Sequence, residues 1–228
     1  MIVAGIPARN AATTIDLVVR RARKYVDLVI VVDDGSIDDT ASISRDAGAI
    51  VTRHEKNRGY GAALKSLFEE AREVGADVMV ILDSDGQHDP DEIPVVIAPV
   101  ISGKADVAIG SRFIYERNNG VPKYRVIGIR ILNFATGLIG PRVLDSQSGF
   151  RAYSKRALSL VDPSDDGMGA GSEILIQTYE NGLGIVEVPI SCHYGRGGSS
   201  QNALVHGMLV LLSLIRYTFR QRKPSSEE

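Results

Sequence analysis

One acidic stretch, residues 78–90 (VMVILDSDGQHDP), constrains the fold of this chain more than any other part. It begins with five apolar residues, which predict a buried strand, and runs directly into Asp83 and Asp85. Two carboxylates at the end of a buried strand repel each other and are costly to desolvate unless a cation lies between them. Mg²⁺ and Mn²⁺ take such oxygen ligands together with phosphates and waters. An Asp-x-Asp turn alone is a weak signal, but this one predicts a metal site formed by Asp83, Asp85 and Gln87.

Short apolar runs alternate with helical patterns through the first half of the chain. The runs predicted to be strands are 2–6, 28–32, 49–52, 78–82 and 107–109. Because these runs are continuously apolar, they indicate a parallel sheet that is covered on both faces. The expected fold class is α/β, with a Rossmann-like, mostly parallel central sheet and helices on both faces. Ligands of such sheets bind beyond the carboxyl ends of the strands, where the polar residues of this chain also cluster.

The glycine patterns restrict which ligand this edge of the sheet can bind. No G-x-G-x-x-G follows the first strand and no G-x-x-x-x-G-K-[ST] occurs anywhere, so a Rossmann dinucleotide site and a P-loop are both disfavoured. Carboxylates at two strand ends must then bind the ligand. Asp33 or Asp34 can accept hydrogen bonds from a ribose or a base, while the acidic turn holds a metal on the phosphates.

Composition narrows the function classes and the compartment. The 228 residues carry a formal net charge of -2, without the strongly basic stripe that is typical of nucleic-acid-binding proteins. The single cysteine, Cys192, excludes an internal disulfide and fits a reducing compartment. The N-terminus lacks a signal-peptide pattern, and the apolar run 203–215 is shorter than the roughly 20 residues that span a bilayer. We therefore expect a cytoplasmic protein that binds no nucleic acid.

Six motifs, taken in chain order, resemble those of a known enzyme family. They are IPARNAATTI, VVDDGSIDDT, NRGYGAAL, LDSDGQHDP, GSRF and DSQSGFRAYSKRAL. Together they resemble the family 2 inverting glycosyltransferases of the GT-A fold, and in particular the branch of polyprenyl-phosphate (dolichol-phosphate) mannose or glucose synthases. The resemblance covers about residues 1–200. Two departures lie in the first motif, where Arg9 and Ala11 stand in place of the usual Tyr and Glu.

The resemblance implies a binding site for a GDP- or UDP-linked sugar. Asp34 would bind the base or the ribose, and Arg196, in a glycine-rich loop, would contact the diphosphate. The residues assigned to the nucleotide sugar are Pro7, Ala8, Arg9, Asn10, Asp33, Asp34, Gly59, Asp83, Ser84 and Arg196. The D-x-D-x-Q pattern of the family is intact, and it assigns Mg²⁺ or Mn²⁺ to Asp83, Asp85 and Gln87.

The resemblance also implies an acceptor site. Arg112 and Arg125 would hold phosphate groups of the donor and the acceptor, and a D-x-x-S-G-F-R segment would lie near the acceptor. Glu173 is either a buried acid in this site or an ordinary acidic residue at a helix N-terminus. The residues assigned to the acceptor are Arg112, Arg125, Ser148, Arg151 and Glu173.

The expected reaction is a single in-line displacement. It moves a hexose from a donor of the GDP-mannose or UDP-glucose type to a polyprenyl or dolichyl phosphate, and the residues assigned to catalysis are Asp85, Arg112, Arg125 and Asp145. The alternative acceptor is a hydroxyl of a glycan or small molecule, which must lose its proton to a base, either Asp145 or Glu173. A third hypothesis is a non-catalytic nucleotide-binding domain, but such a domain does not explain why the D-x-D-x-Q metal motif is complete.

The last part of the chain is expected to be separate from the catalytic domain, residues 1–202. Residues 203–223 form an amphipathic helix with a basic end, which packs on the domain, on a second copy in a homodimer, or on the cytoplasmic face of a membrane. Residues 224–228 form a disordered tail. A second basic and apolar segment, 120–130, either presents guanidinium groups to a lipid phosphate or is a solvated amphipathic helix.

Overall fold

The computed structural model describes residues 1–114, 123–192 and 203–221. Its strands are β1 (Ile2–Ala8), β2 (Leu28–Asp33), β3 (Ile50–Arg53), β4 (Val78–Ile81), β5 (Val107–Ser111), β6 (Arg151–Ser154) and β7 (Ile185–Pro189). Its helices are α1 (Ile15–Ala22), α2 (Thr40–Asp46), α3 (Tyr60–Glu73), α4 (Ile93–Ile101), α5 (Lys123–Gly137), α6 (Lys155–Leu160), α7 (Ala170–Glu180) and α8 (Ala203–Gln221). A short 3₁₀ turn, Pro90–Glu92, precedes α4.

The strands form one 7-stranded sheet in the order β3-β2-β1-β4-β6-β5-β7. Every neighbouring pair is parallel except the two pairs that β6 makes with β4 and β5. The predicted mostly parallel α/β sheet is therefore confirmed. The sequence did not predict β6 or β7, because β6 is a four-residue strand that begins with an arginine and β7 is only half-buried along its length.

Helices cover both faces of the sheet, as the continuously apolar strands predict. On one face Ile15 of α1, Val96 of α4 and Ala47, the residue that follows α2, are buried against alternate strand residues. On the other face α3, α6 and α7 bury residues such as Leu67 and Leu158 against the remaining strand residues. Each central strand is thus buried on both sides, which is why its sequence shows no polar alternation.

The parallel direction of the central strands brings the loops after β1, β2 and β4 to one edge. The register pairs Ala8 with Asp33 across β1 and β2, and Gly5 with Ile81 across β1 and β4. The acidic turn at Asp83 therefore lies beside the loop that follows β1 and one strand away from the loop that follows β2.

The last helix, α8, packs on the rest of the domain against α5 and α7. The buried apolar cluster between these helices consists of Leu132, Ile176, Val210 and Leu214. The hydroxyl of Tyr217 donates a hydrogen bond of 2.7 Å to Glu180 on α7. Among the described helices, none combines the length and the apolar character that crossing a bilayer requires. The predicted disordered tail, 224–228, lies outside the described residues.

Candidate active site

A cavity of about 1500 Å³ opens at the carboxyl ends of the central strands. Most of the predicted site residues line it: Pro7, Ala8, Arg9, Asn10, Asp34, Gly59, Asp83, Ser84, Asp85, Gln87, Arg112, Ser148, Arg151 and Glu173. Asp33 and Asp145 are fully buried beside it and do not line it. The side chain of Arg125 and all of Arg196 fall outside the part of the chain that the structure describes, so the roles assigned to them stay predictions.

The acidic turn lies at the floor of this cavity. Oδ1 of Asp83 accepts a hydrogen bond of 3.4 Å from the hydroxyl of Tyr60. The main-chain N–H of Gln87 donates to Oδ1 of Asp85 at 2.9 Å, and the Thr14 hydroxyl donates to the Ser84 carbonyl at 2.7 Å. These hydrogen bonds fix the turn from α1, from α3 and from within, so the two carboxylates face the cavity in a defined arrangement.

The pKa values of the two carboxyl groups indicate a site for a cation. Burial raises the pKa of Asp83, and burial together with the charge of Asp83 raises the pKa of Asp85 from 3.8 to about 6. Each group would be ionised more readily if a positive ion lay between them. His88 does not supply that charge, because burial and the nearby Arg112 lower its pKa to about 4.

The donor set fits a hard divalent ion that also binds a substrate phosphate. Within residues 1–114, 123–192 and 203–221, no cluster of three or more His, Cys, Asp and Glu side chains forms a complete ligand set. Mg²⁺ and similar ions are commonly held by one or two carboxylates, with phosphates and waters completing the shell. Asp83, Asp85 and the amide of Gln87 match that incomplete set, so they would hold the ion only together with a diphosphate.

Gly149 packs directly against the Asp83 carboxylate. A Cβ atom at this position would lie 2.5 Å from Oδ2 and 2.8 Å from Oδ1 of Asp83. The glycine of the S-G-F-R segment is therefore needed for the close approach of this loop to the acidic turn, and not for an unusual backbone angle.

Substituting Gly149→Ala is expected to displace the Asp83 carboxylate and so to weaken Mn²⁺ binding at the predicted metal site by about tenfold to a hundredfold. The measurement is a Mn²⁺ titration of the purified protein. Gly128→Ala is the matched control, because Gly128 also lines the cavity but an added Cβ there meets no atom within 4 Å. An unchanged Mn²⁺ affinity in Gly149→Ala would argue against Asp83 as a ligand.

Asp34 holds the turn that opens α3. Its Oδ1 accepts from the main-chain N–H of Arg58 at 2.8 Å, and its Oδ2 accepts from that of Gly59 at 2.9 Å. Nδ1 of the buried His54 lies 2.8 Å from Oδ1, and its Nε2 lies 3.0 Å from the Ser66 hydroxyl. Asp34, which is predicted to bind the nucleotide, thus also anchors the NRGYG turn on the cavity wall.

The loops after β1 and β2 are joined through Asn10. Its backbone has a positive φ of 51°, its N–H donates to the Ser36 hydroxyl at 2.9 Å, and its Oδ1 accepts from the Ile37 N–H at 3.0 Å. Asp33 lies under this junction, where it accepts from the Ser36 N–H at 2.9 Å and faces Arg53 at 3.3 Å. Asp33 therefore shapes the loop without reaching the cavity.

Arg112 and Asp145 form a buried two-pronged ion pair. Nε and Nη2 of Arg112 each donate to a different oxygen of Asp145 at 2.7 Å, and the Arg112 N–H adds a third hydrogen bond at 3.1 Å. Glu187 holds the same segment by accepting from the N–H groups of Leu144 and Asp145. Arg112 lines the cavity while Asp145 does not, so the geometry favours Asp145 as the residue that positions Arg112.

Arg151 is buried and holds main-chain carbonyls. Its Nη1 donates to the Gly171 carbonyl at 2.7 Å and its Nη2 donates to the Ser146 carbonyl at 2.6 Å. It joins β6 to the loop before it and to the start of α7, and its positive charge partly offsets the rise in the pKa of Asp83 that burial causes.

Glu173, in the first turn of α7, organises the loop at residues 164–165. Its carboxylate accepts from the N–H groups of Ser164 and Asp165, at 3.0 Å and 2.8 Å, and from the Ser164 hydroxyl at 2.6 Å. The amide of Gln177 donates a fourth hydrogen bond at 3.2 Å. Glu173 is therefore buried at the cavity wall and is also an acidic residue at a helix N-terminus, and both of its oxygens already accept hydrogen bonds.

The cavity has further walls that the site prediction missed. The additional lining residues that bear on binding include Asn57, Tyr60, Tyr124, Gln147, Asp165, Leu212 and Arg216. The NRGYG motif points to the first two of these, but no local pattern brings α5 and α8 to the same cavity. Their position depends on contacts between segments that are distant in the chain.

Known proteins resemble this chain over most of its length. Residues 4–160 match the family described as Glycosyl transferase family 2. The UDP-N-acetylglucosamine–dolichyl-phosphate N-acetylglucosaminyltransferase of Methanococcus voltae is 36% identical over 211 residues, which cover 83% of this chain and 84% of that protein. The polyprenol monophosphomannose synthase of Mycolicibacterium smegmatis is 32% identical over 199 residues, which cover 82% and 75%.

Solved structures share the fold. The glucosyl-3-phosphoglycerate synthase of Mycobacterium tuberculosis, crystallised with Mn²⁺, UDP-glucose and phosphoglyceric acid, is 25% identical, with a TM-score of 0.74 over 99% of this chain and 81% of that chain. The family match over residues 4–160 and the two relatives above 30% identity confirm the family that the motifs predicted. This chain therefore belongs to glycosyl transferase family 2 and is a glycosyltransferase with the GT-A fold.

Proposed function

We propose that the protein is a metal-dependent, inverting glycosyltransferase that moves a hexose from a UDP- or GDP-linked sugar to a polyprenyl or dolichyl phosphate. The donor would lie across the loops after β1, β2 and β4, with its diphosphate at Asp83, Asp85 and Gln87. The acceptor phosphate would be held on the side of the cavity that Arg112 lines.

The choice of a phosphate acceptor depends on one observation, the hydrogen bonds that the two candidate bases, Asp145 and Glu173, already accept. A hydroxyl acceptor must give up its proton, whereas a phosphate is already ionised near neutral pH. Both oxygens of Asp145 accept from Arg112, and both oxygens of Glu173 accept from its loop and from Gln177. Glu173 thus already accepts four hydrogen bonds, and Asp145 accepts three, is fully buried and does not line the cavity. This supports a phosphate acceptor, which has to be bound but not deprotonated.

The relatives support the same acceptor class. The names of the Methanococcus voltae and Mycolicibacterium smegmatis proteins specify dolichyl phosphate and polyprenol, respectively. Their sugars differ, so they leave the sugar of this protein open. A lipid acceptor would also bring the enzyme to a membrane surface, and we keep the cytoplasmic face as the predicted side.

The reaction would be one displacement at the anomeric carbon. An oxygen of the acceptor phosphate forms the new bond, the bond to the donor diphosphate breaks on the opposite side, and the nucleoside diphosphate leaves with the electron pair. A divalent ion at the acidic turn would supply Lewis-acid stabilisation of the leaving diphosphate. Arg112, which Asp145 fixes in place, adds a cation whose geometry does not have to reorganise during the reaction.

The test is a transfer assay with purified protein, Mn²⁺ or Mg²⁺, a panel of UDP- and GDP-sugars, and a polyprenyl phosphate. We expect one donor to give a glycosylated lipid phosphate, with product formation abolished by EDTA and absent from Asp85→Ala protein. Anomeric inversion would be read from the product by NMR spectroscopy.

The same assay separates the alternatives. Nucleoside diphosphate release that depends on a soluble sugar or glycerate acceptor, and not on the lipid phosphate, would replace the proposed acceptor with a hydroxyl. Transfer that continues unchanged in EDTA would overturn the metal dependence. No turnover with any donor would leave only a nucleotide-binding domain.

A further inference from the structure

Helix α5, together with the residue that follows it, carries an apolar stripe on its exposed side. Its five members are 54–71% exposed and recur at intervals of three and four residues: Tyr124, Ile127, Ile131 and Phe134 on α5, and Leu138 directly after it. The same helix also buries Ile129 and Leu132 against the domain. A surface helix ordinarily turns one apolar stripe inward and polar residues outward, so a second stripe facing water requires a partner.

Helix α8 repeats this arrangement beside α5. Val210 and Leu214 are buried in the cluster shared with α5 and α7. Among the α8 side chains that the structure describes, Met208, Leu209, Leu212 and Ile215 are apolar and exposed. Helices α5 and α8 contact each other, and Tyr124 of one stripe lines the same cavity as Leu209 and Leu212 of the other. We call the nine residues of the two stripes the α5–α8 face.

The two helices that form this face carry charges of one sign. Neither residues 123–137 nor residues 203–221 contain an aspartate or glutamate. Arg130 on α5 and Arg216 on α8 are both exposed. An apolar surface with basic residues matches a bilayer that contains anionic lipids. A symmetric contact between two copies would instead bring these arginines together without a carboxylate on either helix to pair with them.

The face continues into the active-site cavity. Tyr124, Leu209 and Leu212 are exposed members of the face that also line the cavity, and Arg216 lines it as well. Ser213, on the inner side of α8, packs against Gly169 at the start of α7, close to the Gly171 carbonyl that Arg151 holds. A molecule embedded in a bilayer under the face could therefore reach the cavity from the side of the lipid headgroups.

We propose that the α5–α8 face is the surface on which the enzyme docks to an anionic lipid bilayer, with the cavity opening toward the headgroups. The proposal rests on the proposed function only in taking lipid as the partner. It goes beyond an amphipathic C-terminal helix, since one of the two exposed stripes belongs to α5 and the residue that follows it.

The test measures binding of the full chain to vesicles of phosphatidylcholine with and without phosphatidylglycerol, by flotation. We expect binding to the anionic vesicles, and a loss of at least about tenfold in the double variant Phe134→Ser, Leu138→Ser. Neither residue lines the cavity, and both are exposed, so the fold should be kept. Leu17→Ser is the matched control, because Leu17 is 57% exposed on α1, and it should bind as the wild type does. Arg130→Ala should weaken binding only to the anionic vesicles.

A second measurement separates this proposal from the proposed function. With a short, water-soluble prenyl phosphate as acceptor, the double variant should turn over like the wild type, whereas with polyprenyl phosphate in vesicles it should be slower.

Wild-type protein that transfers sugar to the short acceptor but does not bind vesicles would overturn the docking surface alone. Vesicle binding that depends on Phe134 and Leu138, without transfer to any prenyl phosphate, would support the surface and reject the acceptor. Equal vesicle binding by the double variant and the wild type would overturn the docking surface. The same conclusion would follow if the wild type is a dimer that the double variant converts to a monomer while vesicle binding stays unchanged.

Discussion

Replacing Asp145 with asparagine is expected to destabilise the protein by about 3–5 kcal/mol, because it leaves a largely buried guanidinium without its counter-charge. The side chain of Asp145 is fully buried and that of Arg112 is 10% exposed, and two hydrogen bonds of 2.7 Å join them. Asparagine keeps the shape but offers one acceptor oxygen and no charge. The measurement is urea unfolding of both proteins under identical conditions.

The control for this substitution is an ion pair on the surface. Asp16 and Arg20 pair at 2.8 Å on α1 with about half of each side chain exposed, so Asp16→Asn should cost less than about 1 kcal/mol. If Asp145→Asn protein unfolds like the wild type but loses transfer to a hydroxyl acceptor, Asp145 acts as a base and not as the positioning partner of Arg112. Loss of stability together with weakened binding of a phosphate acceptor would support the positioning role.

The parts of the site that local patterns predicted without the family resemblance are those that follow directly from strand ends. Asp83 and Asp85 come immediately after a buried strand, and the residues after β1 follow another, so the rule for parallel sheets brings them together without any knowledge of side-chain contacts. The continuous apolar runs predicted helices on both faces for the same reason. These conclusions need only local patterns and the direction of the strands.

The roles of the buried carboxylates could not be predicted in this way. Asp145 and Arg112 are 33 residues apart, and Glu173 contacts a loop that lies 8 or 9 residues before it in the chain. A sequence shows that such groups are acidic, but not whether their oxygens are already accepting hydrogen bonds. The choice between a base and a positioning residue depends on those contacts.

The strand β6 and the exposed stripe of α5 are two further features that local sequence patterns do not predict. Arg151–Ser154 is too short and too polar to stand out as a strand, and its antiparallel pairing depends on β4 and β5 lying on either side. In α5, apolar residues occur around more than one side of the helix, so periodicity alone does not say which stripe faces the core. Only packing against α7 and α8 decides that.

Asp85→Asn is expected to lower the rate of sugar transfer by about 10³-fold, because a metal held through two carboxylates supplies several kcal/mol to the leaving diphosphate. Asp83→Asn should have a similar effect, and the double variant should be hardly worse than either single one, since both groups would bind the same proposed ion. The measurement is turnover of the donor identified in the transfer assay. Additive losses would mean that the two carboxylates act separately.

The same substitution should make the metal-free protein more stable. Because burial and the charge of Asp83 raise the pKa of Asp85 to about 6 in the folded state, from 3.8, its ionised form opposes folding. We expect Asp85→Asn to raise the free energy of unfolding by about 1–2 kcal/mol at pH 7, less than the full pKa difference implies because water reaches part of the side chain. The gain in the free energy of unfolding should be complete above pH 6, shrink as the pH falls toward 3.8, and vanish below it, since the wild-type carboxyl is then protonated in both states.

Thermal unfolding of both proteins in EDTA at pH 7.5 and about pH 4.5 measures this gain. Asp39→Asn is the control, because Asp39 is exposed. If Asp85→Asn protein is inactive but no more stable than the wild type at pH 7.5, burial and the charge of Asp83 do not destabilise the Asp85 carboxylate. The acidic pair would then not be a preformed cation site.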